Sequence, residues 1–200
     1  MAITKKNLIF LGAPGSGKGT MASALREVHP LAHISTGDLL RDEIKRGTEL
    51  GKAASGIMQA GGLVPDDVVC GMVRNRLAQP DCAGGFILDG FPRTVAQAEA
   101  LDHLLTEKGL KLDAVIELVV DQEKLVNRIL NRAAEAAAKG EPVRKDDDPV
   151  VFKTRLEAYN RDTAVVAPYY KARGQLKQID GMAPIDQVTA AIDGVLAEAA

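Results

Sequence analysis

Tryptophan is absent from this 200-residue chain, and phenylalanine and tyrosine bring the aromatic share to only 4%. Such a sequence offers little as a stacking platform for single-stranded nucleic acid. The two cysteines, Cys70 and Cys82, are too few for a disulfide framework and too far apart for a Cys-x-x-Cys knuckle or redox pair. A reducing compartment is the expectation. No charge of one sign dominates either, because 25 Lys and Arg stand against 27 Asp and Glu, a net charge of −2. That balance excludes a global basic field for nucleic acid or a membrane surface, so any anion site must be local. Long hydrophobic runs are also missing. The longest early one, Leu8 to Leu11, is far shorter than a signal-peptide core or the ~20 residues of a membrane span. These absences predict a cytoplasmic protein with neither nucleic acid nor membrane as partner.

What is present is an ordinary globular composition, 46% hydrophobic and 26% charged, at a length that suits one domain over 1–200 with small insertions. Short apolar runs alternate with longer amphipathic stretches, the pattern of an α/β fold with a parallel sheet flanked by helices. Five runs qualify as buried strands, at 7–11, 32–35, 85–88, 114–120 and 175–179. Helix starts are marked by Thr94 with Gln97 as a capping box, by Asp121 after the fourth strand, and by Asp148 followed by Pro149. Two segments fit no core connection. Residues 35–64 read as two helices broken at Gly47 and at Gly61-Gly62, and residues 133–143 are alanine-rich.

The strongest chemical signal is Gly12-Ala13-Pro14-Gly15-Ser16-Gly17-Lys18-Gly19-Thr20, directly after the first strand and ahead of an apolar helical stretch. Glycines let successive N–H groups point inward, the following helix adds its positive N-terminal end, and a lysine reaches the β- and γ-phosphates. The loop is a phosphate cradle, of the P-loop kind. Gly19 stands where Ser or Thr usually supplies a magnesium ligand, which leaves Thr20 as the nearest hydroxyl. A second signal is Phe86-Ile87-Leu88-Asp89, an apolar strand ending in a carboxylate that would sit at the carboxyl edge of the sheet, beside the cradle. Asp89 reads either as a turn residue before Gly90 and Pro92 or as the carboxylate that holds magnesium near the phosphates, and the cradle favours the second.

Through these and further residues the chain resembles the short-lid adenylate kinases of the nucleoside monophosphate kinase family. The resemblance is carried by Gly12–Thr20 (GAPGSGKGT), Ile34–Arg41 (ISTGDLLR), Asp89–Arg93 (DGFPR) with Gln97, Arg128 and Arg132, and Arg144-Lys145-Asp146-Asp147 followed by Arg155. These segments span nearly the whole chain in the family's order. The resemblance implies a P-loop three-layer fold with a five-stranded parallel sheet, a monophosphate-binding lobe at 35–64 and a short lid at 133–143. It implies a magnesium-dependent transfer from ATP to AMP that yields two ADP, in a monomer.

The same resemblance assigns roles. ATP falls to Gly15, Ser16, Gly17, Lys18, Gly19, Thr20, Arg128 and Arg132. AMP falls to Thr36, Arg41, Met58, Leu63, Val64, Gly90, Arg93, Gln97, Arg144 and Arg155. Lys18, Arg93, Arg128, Arg132, Arg144 and Arg155 act on the transferring phosphoryl group, and Asp89 holds Mg2+ through water. Arginine suits this work because its planar fork binds two phosphate oxygens and stays charged. Arg128 and Arg132 lie one helical turn apart, on one side of a helix.

Duller readings stand beside these. Thr36 can cap a helix starting near Asp38, Gln97 can complete the capping box, Met58, Leu63 and Val64 can be ordinary packing, and Lys145 to Asp148 can be a solvated turn. In the lid stretch, Glu135 to Lys139 reads as a helical extension with Gly140 and Pro142 as its turn, leaving no room for an inserted β-subdomain and no cysteines for zinc. Two alternatives remain open. One is a UMP- or CMP-directed kinase, and the other is a regulatory module that keeps the cradle without transferring phosphate.

Overall fold

Asn7–Leu11 (β1) is apolar from its second residue on and buried on both faces, as the central strand of a parallel sheet requires. The computed structural model describes residues 6–140, 142–143 and 148–197. The five strands are β1, Ala32–Ser35 (β2), Phe86–Asp89 (β3), Ala114–Val119 (β4) and Leu176–Asp180 (β5), all parallel in the order β2-β3-β1-β4-β5. Each expected strand exists. The third starts one residue later because Gly85 turns at φ +120°.

Side chains alternate across this sheet. Ile9, Leu11, Phe86, Leu88 and Val115 enter one core, whereas Leu8, Phe10, Ile87 and Ile116 enter the other. Lys18–Val28 (α1) and Ile185–Ala197 (α9) close the second core with Met21, Leu25, Val188 and Ile192. The first is covered by Thr36–Arg46 (α2), Glu49–Gln59 (α3), Asp66–Leu77 (α4), Val95–Glu107 (α5) and Val166–Lys171 (α8). Leu125–Ala138 (α6) and Pro149–Ala158 (α7) form a small third cluster, in which Ile129 and Phe152 pack on Ala13 of the glycine loop.

Helix starts follow local chemistry, with two departures from expectation. The Asp148 carboxylate accepts from Val150 and Val151 N–H with Pro149 in the first turn, and Asp121 caps a 3₁₀ turn over Gln122–Lys124 that leads into α6. Thr36 does not cap α2. Ser35 does, accepting from Asp38 N–H at 3.2 Å, because the strand ends there and leaves Thr36 inside the first turn. Thr94 caps α5 as read, accepting from Gln97 N–H at 3.1 Å, but the reciprocal half of the box is displaced: Gln97 Oε1 accepts from Arg93 N–H rather than from Thr94. Among the described residues no helix is long and apolar enough to cross a membrane.

Candidate active site

Parallel strands all deliver their carboxyl ends to one edge, and the register sets Asp89 beside Phe10 on β1 and beside Ser35 on β2. The loops leaving β1, β2 and β3 therefore meet. They border a cavity of about 280 Å³, closed on its far side by residues of α6 and α7.

The glycine loop forms its floor. Ser16 N–H donates to Ala13 O at 3.1 Å, and α1 begins at Lys18. A methyl group on Gly12 would stand 2.7 Å from Ser16 Oγ and 2.9 Å from Leu118 O, so only glycine lets the turn close against β4. Lys18 folds over this turn, with Nζ donating to Gly12 O at 2.8 Å, to Ala13 O at 3.0 Å and to Ser16 Oγ at 3.4 Å. Burial, reinforced by the charges of Arg93, Arg155 and Arg132 and opposed by Asp89, lowers the Lys18 ammonium from its ordinary 10.5 to about 8.

Asp89 ends β3 beside the start of α1, where a methyl group on Gly19 would stand 3.5 Å from Oδ2. His33 Nε2 lies 3.3 Å from the same oxygen. Burial alone raises the Asp89 carboxyl, but the His33 hydrogen bond and the charges of Lys18 and Arg93 outweigh it and hold the group below its ordinary value. It is therefore ionised at neutral pH. Among the described residues no three His, Cys, Asp or Glu converge as a metal cage. One carboxylate with exposed Thr20 nearby fits a hard, hydrated divalent cation that brings most of its own ligands.

The other wall comes from α2, α3 and the turn after β3. Arg41 NH2 pairs with Asp38 Oδ1 at 2.5 Å, and Arg93 Nε donates to Gly90 O at 2.7 Å. Thr36 is 1% exposed and donates to the same carbonyl at 2.9 Å. Gln97, 2% exposed, reaches the cavity surface with Met58, Leu63 and Val64. Lys18, Arg41, Arg93, Arg132 and Arg155 thus line one hollow with Asp38 and Asp89 as its only carboxylates among the described residues. A chain of net charge −2 concentrates here a field for a polyanion.

Nearly every residue singled out in the sequence converges on this hollow. Gly15, Gly17, Gly19, Thr20 and Gly90 line it, while Ser16 supports the loop from beneath at 2% exposure. Arg128 is the exception. Its NH2 donates to Gly181 O at 2.9 Å, just past β5, so it lies outside the lining although Arg132, one turn on, belongs to it. Arg144, with Lys145, Asp146 and Asp147, lies outside the described residues. Contributors that sequence reading missed include Tyr159 and Thr163 on a wide π-type turn after α7, His33 behind Asp89, and Asp66 behind Gln97. Only Asp66 left a trace in the sequence, as the Pro65-Asp66-Asp67 helix start, and nothing in it points to Gln97.

A family model described as adenylate kinase matches residues 10–175, from the first strand to the start of the last. The chain belongs to the adenylate kinase family. Relatives named adenylate kinase support this over nearly full length. One from Xanthobacter autotrophicus is 76% identical over 96% of this chain and 99% of its own length. Another, from Azorhizobium caulinodans, is 69% identical over 94% and 97%, and a third from a Chelativorans species is 56% identical over 96% and 99%. As an adenylate kinase family member the chain is a phosphotransferase, and its five-stranded parallel sheet with the glycine loop after β1 is the corresponding P-loop α/β architecture.

Proposed function

We propose that the protein transfers the γ-phosphoryl group of MgATP reversibly to AMP, giving two ADP. The observation that carries this reading is one cavity with two unlike walls. A glycine loop with Lys18 shares the hollow with a second set, Arg41, Arg93 and Gln97, and Arg132 and Arg155 line the same hollow. A protein that only binds one nucleotide has no use for the second wall.

In this reading ATP lays its β- and γ-phosphates on the N–H groups of residues 15–20 and on Lys18. The AMP phosphate is held by Arg41 and Arg93, with its base against Gln97 and the small apolar group Met58, Leu63 and Val64. An AMP phosphate oxygen attacks the γ-phosphorus in line, the bond to the bridging oxygen breaks, and ADP leaves with that electron pair. No proton has to be removed from the nucleophile, so positioning and charge carry the catalysis. Arg132 and Arg155, with Arg144, neutralise the charge on the three equatorial oxygens, and Arg128 would join them by leaving Gly181 O. Asp89 would hold the magnesium of MgATP through water, and the ion would offset phosphate charge. Residues 35–64 serve as the monophosphate lobe and 133–143 as a short lid.

The reading takes the protein as a monomer, and the free thiols of Cys70 and Cys82 support a reducing cytoplasm. The test is coupled ADP formation across AMP, UMP, CMP and GMP with several donors. AMP is expected to exceed UMP and CMP by ~10²-fold or more in kcat/KM, because a site built to hydrogen-bond a base rejects one that leaves its polar groups unpaired. Comparable rates with UMP overturn the acceptor assignment, and binding of ATP without transfer to any monophosphate overturns the enzyme.

A further inference from the structure

Gln97 is buried at the cavity wall, and both ends of its amide are engaged from behind. Oε1 accepts from the backbone N–H of Arg93 at 2.8 Å, and Nε2 donates to Asp66 Oδ1 at 2.7 Å. The other Asp66 oxygen, Oδ2, accepts from Thr94 Oγ1 at 3.0 Å. Asp66 opens α4 and Gln97 lies in the first turn of α5, 31 residues away, so this clamp joins two helices that pack side by side.

The chemistry of the partners leaves the amide one orientation. A backbone N–H can only donate and a carboxylate can only accept, so Oε1 must face Arg93 and the NH2 must face Asp66. Turning the amide over would press oxygen against carboxylate and NH2 against N–H. Each end retains unused capacity, one lone pair on Oε1 and one N–H on Nε2. Together they present an acceptor beside a donor, in fixed order.

We propose that Asp66 is a specificity-positioning residue, which by locking the Gln97 amide makes the acceptor site accept a 6-aminopurine and refuse a 6-oxopurine. Adenine offers an amino donor next to a ring-nitrogen acceptor and matches the locked amide. Hypoxanthine and guanine offer a carbonyl acceptor next to a ring N–H donor, the reverse pattern, and could be met only by the flipped amide that Asp66 and the Arg93 N–H forbid. Gln97 alone, free to rotate, would serve both. Part of the discrimination therefore resides in a residue outside the cavity lining. This rests on the reading of Gln97 as the residue that meets the base.

The test compares kcat/KM for AMP and IMP at saturating MgATP in the wild type, Asp66→Asn, Asp66→Glu and Gln97→Ala. Asparagine keeps the size of Asp66 but presents either an oxygen or an NH2, so it removes one of the two restraints on the amide and leaves only the Arg93 N–H. The AMP-to-IMP ratio is expected to fall at least about tenfold in Asp66→Asn, through a higher KM for AMP and a lower one for IMP, with KM for MgATP unchanged. Asp66→Glu, which restores a carboxylate, is expected to retain more of the ratio than Asp66→Asn. A merely structural role would lower both activities together. A wild-type ratio in Asp66→Asn, alongside a collapsed ratio in Gln97→Ala, overturns the role of Asp66 and spares Gln97. An unchanged ratio in Gln97→Ala overturns the base-reading role of Gln97 and this proposal with it.

Discussion

As the proposed phosphate-binding lysine, Lys18 meets two demands that conflict until a phosphate arrives. It must be cationic to hold a polyanion, yet it is half-buried among Arg93, Arg132 and Arg155, and burial first and these charges second lower its ammonium to about 8. Phosphate oxygens beside Nζ favour the charged form and raise the group again. Binding of MgATP therefore takes up protons where the free lysine is partly neutral. Affinity for the phosphates is greatest below about 8 and is lost as pH rises through that value, since the proton must then be drawn from solvent. In the ligand-free protein the sign is opposite. Between about 8 and 10.5 the unfolded chain holds a proton that the folded chain has shed, so Lys18 contributes stability that grows with pH. Calorimetric titration of MgATP at pH 8.5 in two buffers of different ionisation enthalpy should show net proton uptake, and Lys18→Met should abolish it and lower kcat at least ~10²-fold. Proton release, or near-normal turnover in Lys18→Met, contradicts this account.

At the scale of elements, the pair α2 and α3 carries Arg41 and Met58 to the cavity, and its geometry turns on one small residue. Thr48 joins the two helices, accepting from Gly51 N–H at 3.0 Å while its own hydroxyl donates to the Glu43 carboxylate at 2.6 Å. The helices approach so closely that a methyl group on Gly51 would overlap the backbone carbonyl of Glu43. Two effects oppose each other in Gly51→Ala. Helix propensity favours alanine by ~1 kcal/mol, whereas overpacking against rigid backbone costs ~1–3 kcal/mol and more where nothing can yield. Backbone cannot swing aside as a side-chain tip can, so the second should win. Gly51→Ala is expected to lower Tm by several degrees and to raise KM for AMP while leaving KM for MgATP near its original value. A more stable variant with unchanged KM for AMP shows that the helices separate at no cost.

For the whole molecule, the decisive property is that distant parts of the chain close one hollow. The turn after α3 touches α7, where a methyl group on Gly61 would stand 3.0 Å from Val151 O, and Arg155 of the same helix lines the cavity. A ligand made of two adenosines joined through five phosphates would engage both walls at once, so its second half binds at high effective concentration. Its Kd should lie at least ~10²-fold below that of ATP, and at equal free concentration it should raise Tm further than ATP or AMP. A shift no larger than that of ATP means that only one wall binds nucleotide.

Contiguous features were legible in the chain itself. The strand, glycine loop and helix from Asn7 to Val28 form one stretch, in which the apolar run, the φ-permissive glycines and the lysine are neighbours and require no distant partner. The same holds for Phe86–Asp89 and for the caps at Thr94 and Asp148, so the sheet and most of the cavity lining were readable before any packing was known. Where local readings failed, a partner far along the chain had intervened. Thr36 gives up its capping role to Ser35 and turns its hydroxyl to Gly90, 54 residues on, because β2 lies beside β3. Arg128 shares a helix face with Arg132, yet its head reaches Gly181 because β5 flanks β4 at the sheet's edge. The Gln97 amide is oriented by Asp66 across a helix pair, and His33 reaches Asp89 only through the strand order. Composition and motif thus determined the phosphate cradle and the class of fold, because those interactions close within a few residues. Tertiary structure alone decided which donor meets which acceptor around the Gln97 amide and the Asp89 carboxylate, because a hydrogen bond depends on distance and direction that sequence separation does not encode.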